Sequence, residues 1–253
     1  MNAVPLGTHF QNYFQVRLAY TPELIERVQQ VRYDVYCREF HYEREENCPG
    51  GLEKDDYDQC SVHCLVVHEA SDTTAGCVRL VKTPPQDPGF LLPLEKFCGH
   101  SLTHPILHPA RLPRATIAEV SRLAVHTTFR RRLGESESPI GRFSSVEFTD
   151  VERRAFPLIS LALFAAATVL TLLTQRKDVF VMVEPRLAAR LQGVGLPFIQ
   201  VGNLLDYHGA RAPYYSHTDR VLESMKEELR ALYDFVYESL KADVDQTGID
   251  LTQ

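Results

Sequence analysis

Residues 119–125 read EVSRLAV and set a carboxylate, Glu119, three positions before a guanidinium, Arg122, in a short β-rich run built by Val120, Leu123 and Val125. In a regular strand that offset points the two side chains to opposite faces, so one charge is expected to face a core. A charge survives there only when it is paired. Arg32, Asp55, Asp58 and Arg79 are the upstream residues able to pair with it. A basic loop, FRRRLG at 129–134, follows directly, and the arginines from Arg111 to Arg154 can form a local face for a phosphate or an acidic partner. The net charge of −6 argues against a general nucleic-acid binder, so any anion site should be local.

Metal chemistry has two weaker candidates. Cys48, Cys60, His63 and Cys64 fit no standard zinc spacing, and Val62, Leu65 and Val66 among them read as a strand. His100, His104 and His108 form a ladder at i, i+4, but Pro105 and Pro109 break the helix that such a ladder needs. No metal site is expected. The start, MNAVPLGTHFQ, lacks a basic segment followed by an apolar core, so the six cysteines are expected as reduced thiols in a cytoplasm.

These residues must be positioned by surrounding elements. With 253 residues, 44% apolar and 24% charged, the chain can bury one large core. A first strand is expected over 14–18, then a helix opened by Thr21-Pro22-Glu23 and carrying Leu24, Ile25, Val28, Val31, Val35 and Tyr36 at helical spacing. Arg32 lies on that helix beside Tyr36 at i+4, and periodicity alone makes it a solvated residue. The acidic stretch 43–58, with Asp55-Asp56-Tyr57-Asp58, reads as a solvated loop. Strands over 62–68 and 76–81 follow, the second carrying Arg79, then a proline-rich crossing over 84–113 that reads as an insertion or a substrate-covering loop.

Residues 155–175 hold no charge and are long enough to span a membrane, yet Ser160, Ala165 to Ala167, Thr168, Thr171 and Thr174 favour a buried central helix. A strand over 179–183, a helix over 186–192 ending at Gly193 and Gly195, and strands over 198–205 and 214–216 complete the expected order. The tail 218–241 is amphipathic and either caps the domain or makes a dimer. The expected organisation is one domain over 1–217 with 84–113 inserted, and a C-terminal helix and tail over 218–253.

This order of elements matches the GNAT acyltransferase architecture. Arg32 with Tyr36, Asp55-x-x-Asp58, Gly76-x-x-Arg79-Leu80, Phe97 and Glu119-x-x-Arg122 resemble the signature of the acyl-homoserine-lactone autoinducer synthases. Residues 182–195, with Glu184-Pro185-Arg186-Leu187, and YHGARAPY at 207–214 resemble the PEP-CTERM/exosortase system-associated acyltransferases more closely, and the chain is also similar to the N-acyl amino acid synthases. Two departures stand out. Tyr36 and Tyr42 replace the Phe and Trp of the autoinducer synthases, and Arg131-x-x-Gly134-x-Ser136 matches the GNAT phosphate loop only in part.

The resemblance implies an α/β (α+β) fold with a central mixed, mostly antiparallel twisted sheet flanked by helices. It implies an N-acyltransferase that moves a fatty acyl group from an acyl-carrier-protein thioester to a small amine. The alternatives are an acyl-homoserine-lactone synthase using S-adenosylmethionine, or a non-catalytic module presenting its apolar helix or tail to a membrane or partner. The implied catalytic set is Glu119, Arg122, Arg79, Arg32, Asp55 and Asp58. Leu123, Ala124, Val125, Arg130, Arg131, Arg132 and Gly134 would bind the donor, and Tyr36, Tyr42 and Phe97 would line the acyl or acceptor pocket. Glu119 is either the base, acting through water, or an ion-pair partner of Arg32, Arg79 or Arg122. The oxyanion donor is expected from backbone N–H groups near Leu123 to Val125. No cofactor is implied as permanently bound; acyl-phosphopantetheine, on carrier protein or coenzyme A, is substrate. The implied partners are an acyl-carrier protein and the small amine, with peripheral membrane contact and no nucleic acid.

Overall fold

The computed structural model describes residues 10–130 and 156–252. β1 (Phe14–Ala19) leads to α1 (Pro22–Arg32), which starts where the Thr21 hydroxyl accepts the Leu24 N–H at 3.3 Å and Pro22 occupies the first turn. Leu24, Val28 and Val31 bury its inner face. The helix then widens into a π-helical turn, Tyr33–Glu39, before the chain enters the acidic stretch. That stretch is solvated only in part: Arg44 to Asn47, Lys54 and Asp56 are exposed, whereas Glu53 and Tyr57 are buried. It folds into 3₁₀ turns, the last of which (Asp56–Cys60) has a reciprocal cap: the Asp55 carboxylate accepts the Tyr57 N–H at 3.0 Å and Asp58 accepts the Asp55 N–H at 3.1 Å.

β2 (Ser61–His68), β3 (Thr73–Lys82), α2 (Pro93–Cys98), β4 (Ile117–Val125), a short α3 (Thr127–Arg130), α4 (Phe156–Leu173), β5 (Asp178–Val183) and α5 (Pro185–Gly193) follow. β6 (Ile199–Gln200), β7 (Leu205–Asp206), β8 (Ala210–His217), α6 (Thr218–Ser224) and α7 (Glu227–Thr247) complete the order. The sheet runs β1-β2-β3-β4-β5-β8-β6, with β7 also on β8. Every pairing is antiparallel except β4 with β5. This is the mixed, mostly antiparallel sheet that the order of elements implied.

Strand alternation sorts the two faces. Val62, Cys64 and Val66 of β2 join the cluster that holds α4 and α7, while Leu65 and Val67 join the cluster under α1. A third cluster packs Leu92 and Leu94, from the proline-rich crossing, onto Val81, Ile117, Phe180 and Tyr215. The crossing therefore lies folded over one end of the sheet. α4 buries Ala162, Leu163, Ala165 and Ala166 in the core, and no helix among the described residues is long and apolar enough to cross a membrane. Gly76 lets α4 approach the sheet: a Cβ there would stand 2.7 Å from the Ala124 carbonyl and 2.9 Å from Leu163.

Three expectations about the later elements change. The strand expected over 198–205 is two short pieces, because Gly202 is pressed against Ser101, whose carbonyl lies 2.4 Å from where a Cβ would sit. β8 is longer than expected, since it pairs with β5, β6 and β7. The amphipathic tail breaks at Met225–Lys226 into α6 and α7, and α7 lays Leu229, Leu232, Val236 and Leu240 against α4 and β1. Among the described residues of α4 and the tail, the large apolar side chains are buried or half-buried, so these residues give the non-catalytic alternative no exposed apolar face.

Candidate active site

β4 carries a bulge. Between the pairs Cys77–Ala124 and Arg79–Ser121, β3 has one residue, Val78, whereas β4 has two, Arg122 and Leu123. Arg122 takes φ of +52°, a left-handed conformation that non-glycine residues adopt at a cost. The extra residue cancels the opposite-face geometry expected of positions 119 and 122, and both side chains line the same cleft.

Arg122 then meets an acidic cradle: Glu53 at 3.0 Å and Asp55 at 3.2 Å. Asp55 also takes Arg79 at 2.5 Å, and Asp58 takes both Arg79 and Arg32 at 2.7 Å. Arg32 closes the circuit onto Glu53. Arg32 is fully buried, so its assignment as a solvated helix residue is overturned; periodicity counts apolar residues and cannot see a charge whose partners come from another segment. Burial opposes ionisation of Glu53, yet Arg122 and Arg32 hold its carboxyl down to about 2. Asp58 lies further below the carboxylate range, against its own burial, through Arg32 and Arg79. His63 sits beside this circuit, 3.6 Å from Asp58, and burial pushes its imidazole down to about 4.

Glu119 stands apart. It is buried, accepts the Leu94 N–H at 2.7 Å, and has no ion pair among the described residues. The ion-pair alternative for this residue is therefore overturned: the bulge turns Arg122 to the acidic cradle, where Arg79 and Arg32 also point. Burial pushes the Glu119 carboxyl up to about 8, although the Leu94 N–H and the more distant Arg79 and Arg122 pull the other way.

The cleft opens where the central strands part. β4 and β5 pair only from Ile117–Asp178 to Val120–Val181; beyond that point Ser121, Arg122 and Leu123 on one side face Met182 and Val183 on the other across an open volume of about 1000 Å³. An apolar pocket, partly open to solvent, adjoins it and shares Val120, Phe164 and Val181 as walls. Tyr36 and Tyr42 line the cleft, and the Tyr36 hydroxyl donates to the Leu123 carbonyl at 2.8 Å. Of the expected donor-binding residues, Leu123 lines the cleft, while the Ala124 and Val125 side chains pack into the cores on either face.

Two site expectations need correction. Phe97 is 51% exposed and packs beside Tyr57 and under the Lys96 ammonium, because α2 turns its buried side, Leu94 and Cys98, inward instead. Arg130 is buried, donates to the Val125 carbonyl at 2.6 Å, pairs with Glu39 and lies over Phe40, so it anchors the end of β4 and does not face a donor. Arg131, Arg132 and Gly134 lie outside the described residues. Sequence reasoning missed Glu53, hidden in an acidic run, and the cleft residues Glu43, Tyr207, His208 and Arg211; the last three stand in the YHGARAPY stretch, whose resemblance was the available signal.

Residues 31–136 match the acetyltransferase (GNAT) domain family. Among solved structures, the acyl-homoserine-lactone synthase LasI is similar at 16% identity and a TM-score of 0.56 over 87% of this chain and 95% of that one. BjaI, a CoA-dependent acyl-homoserine lactone synthase, is similar at 18% identity and a TM-score of 0.57 over 88% of this chain and 89% of its own. FeeM, an N-acyl amino acid synthase from uncultured soil microbes, gives 12% identity and a TM-score of 0.50 over 84% of this chain and 94% of that one. At these identities the likeness is one of fold. No curated protein matches the chain in sequence. The matched residues begin within α1 and run past β4, so they take in the acidic cradle, the bulge and Glu119 together.

Proposed function

We propose that this protein is an N-acyltransferase that moves a fatty acyl group from an acyl-carrier-protein thioester to a small amine, an amino acid or a related compound, of the type associated with PEP-CTERM/exosortase systems. The observation that carries the reading is Glu119: a buried carboxyl with no ion pair among the described residues, raised to about 8, on the wall of a cleft that adjoins an apolar pocket. A general base works best with a pKa near the operating pH, and burial without a counter-charge brings a carboxylate into that range.

The chemistry follows. The amine arrives protonated and gives a proton to ionised Glu119, directly or through a water. Its lone pair then attacks the thioester carbonyl carbon; the C–N bond forms, the carbonyl oxygen takes the negative charge, and collapse breaks the C–S bond. The departing thiolate takes the remaining amine proton. Backbone N–H groups at the bulge, Arg122 and Leu123, are the oxyanion donors of this reading, since a bulge interrupts the ladder that would otherwise occupy them. The acyl chain occupies the pocket walled by Val120, Phe164 and Val181. The Arg–acid circuit holds the bulge in place.

The carrier protein is favoured as donor because the phosphate loop is incomplete but has three consecutive arginines, Arg130 to Arg132, of which Arg131 and Arg132 remain candidates for an acidic carrier surface. The six cysteines are all free, in keeping with a cytoplasmic setting. The test is an acyl-transfer assay with acyl-carrier protein and acyl-coenzyme A in parallel across a salt series. Amide formation from the carrier, weakening as salt screens the contact over about 8–10 Å, is the expected result. Equal use of acyl-coenzyme A without salt dependence removes the carrier-protein part. A lactone formed from S-adenosylmethionine, with no other amine used, selects the autoinducer synthase instead.

A further inference from the structure

The cleft holds two arginines with different fates. Arg122 is spent on Glu53 and Asp55. Arg211, at the start of β8 opposite Leu205, lines the same cleft and has no carboxylate within ion-pair distance among the described residues. Arg32, Arg79, Arg114 and Arg130 each have one or two. The guanidinium of Arg211 lies 5.5 Å over the Tyr42 ring, and Tyr42 itself stacks on His208 at 4.7 Å. His208 stands in the turn before β8 with φ of +54°, followed by Gly209 at +96°, and this tight reversal brings Tyr207 and His208 over the cleft. Burial, reinforced by Arg211 and Arg122, pushes the His208 imidazole below its ordinary value, so at neutral pH it adds no second cation beside Arg211.

A guanidinium over an aromatic ring still has its N–H donors to offer an anion, and a carboxylate is the anion that matches their fork with two parallel hydrogen bonds. On the same cleft wall Glu119 is placed to take a proton from an ammonium. A ligand that satisfies both ends carries an amine and a carboxylate on one small body. We propose that Arg211, braced by Tyr42 and His208, is the subsite for the acceptor's carboxylate, and that the acceptor is therefore a free amino acid rather than a simple amine, amide or ester. This rests on the N-acyltransferase reading for its direction, but the subsite itself is a binding statement that can be tested without turnover. Tyr42, Tyr207 and His208 offer the acceptor's side chain an aromatic surface, so amino acids with an apolar or aromatic side chain are the favoured class.

The experiment measures binding and transfer separately on the full chain. Calorimetric titrations with L-phenylalanine, L-leucine and S-adenosylmethionine are compared with phenylalaninamide and leucinamide, for wild type and for Arg211→Gln and Arg211→Lys. The expected result is that the free acids bind about 10- to 100-fold tighter than their amides, the range of a charge-assisted pair. Arg211→Gln should bring that ratio close to 1, and Arg211→Lys should restore part of it. In the transfer assay the same ratio should appear in KM for the acceptor more than in kcat. The acid-to-amide ratio is taken within each variant, so a general loss of folded protein does not imitate the result. Wild type that binds or acylates amides as well as acids, or a ratio that survives in Arg211→Gln, overturns the subsite. Acid-selective binding that depends on Arg211 without any acyl transfer leaves the subsite standing and removes the acyltransferase reading.

Discussion

β4 presents two charges to the same cleft three residues apart, and they live in opposite surroundings. Arg122 is one node of a circuit in which three arginines face Glu53, Asp55 and Asp58, so each charge is compensated and held in place. Glu119 has a single backbone donor, and burial keeps its carboxyl near neutrality. The contrast shows how one strand divides its work: compensated charges fix geometry, because moving any of them strands another, whereas an uncompensated one can change its protonation state at modest cost.

The sharpest way to break the comparison is to swap the chemistry of each region and ask which property fails. Glu119→Gln keeps an acceptor for the Leu94 N–H but cannot take a proton. It should cut turnover by about 10²–10⁴-fold, the usual contribution of a positioned base, with the melting temperature held or raised. In wild type, kcat should rise with pH toward about 8 as Glu119 ionises, and that limb should vanish in the variant. A variant that keeps turnover, or wild type with no such limb, assigns the base elsewhere.

The circuit should fail in stability first. Arg32→Ala or Arg79→Ala leaves the largely buried Asp58 without one of its two guanidinium partners and should cost about 3–5 kcal/mol in denaturant unfolding. Arg122 keeps 24% of its side-chain surface exposed, so Arg122→Ala should cost less. Equal losses at the three positions would mean that burial does not set the cost, and wild-type melting in all three would dissolve the circuit. Tyr36→Phe is milder: it removes the donor to the Leu123 carbonyl and should cost about 1 kcal/mol, with a larger effect on activity than on melting because that carbonyl belongs to the bulge.

The paired region and the unpaired residue were not equally legible in the sequence. Helices and strands were readable because Leu24, Val28 and Val31, or Val62, Cys64 and Val66, carry periods that local geometry demands. Arg32, Asp55, Asp58, Arg79 and Arg122 were recognised as a constellation through resemblance, while periodicity placed Arg32 in solvent. Glu53 was missed because an acidic run gives no sign of which member turns inward. The bulge was invisible, since it exists only in the register between β3 and β4, and without it the offset of Glu119 and Arg122 reads as two faces. Phe97 was misplaced because an aromatic residue in a covering segment looks the same whether it faces in or out. Arg211 carries no local sign of being unpaired; that is a property of what surrounds it.

The finest test uses the opposite signs of two buried titrations. Glu119 is raised from an ordinary carboxyl to about 8, so the unfolded chain loses its proton first, and this group lowers stability as pH rises from about 4.5 to 8. His63, beside Asp58 in the paired region, is depressed from 6.5 to about 4, so the unfolded chain gains its proton first, and stability falls as pH drops from about 6.5 to 4. Between about 4.5 and 6.5 the two slopes oppose each other, each limited to about 1.4 kcal/mol per pH unit. Wild type should therefore be nearly flat in that interval. Glu119→Gln should unmask the His63 slope, with stability rising with pH, and His63→Leu should unmask the Glu119 slope, with stability falling up to about pH 8. The measurement is the free energy of urea unfolding at half-unit steps from pH 4.5 to 8.5 for the three proteins. Parallel curves would show that neither group is shifted as its surroundings require, and slopes of the same sign in both variants would place the two residues in one coupled site instead of two.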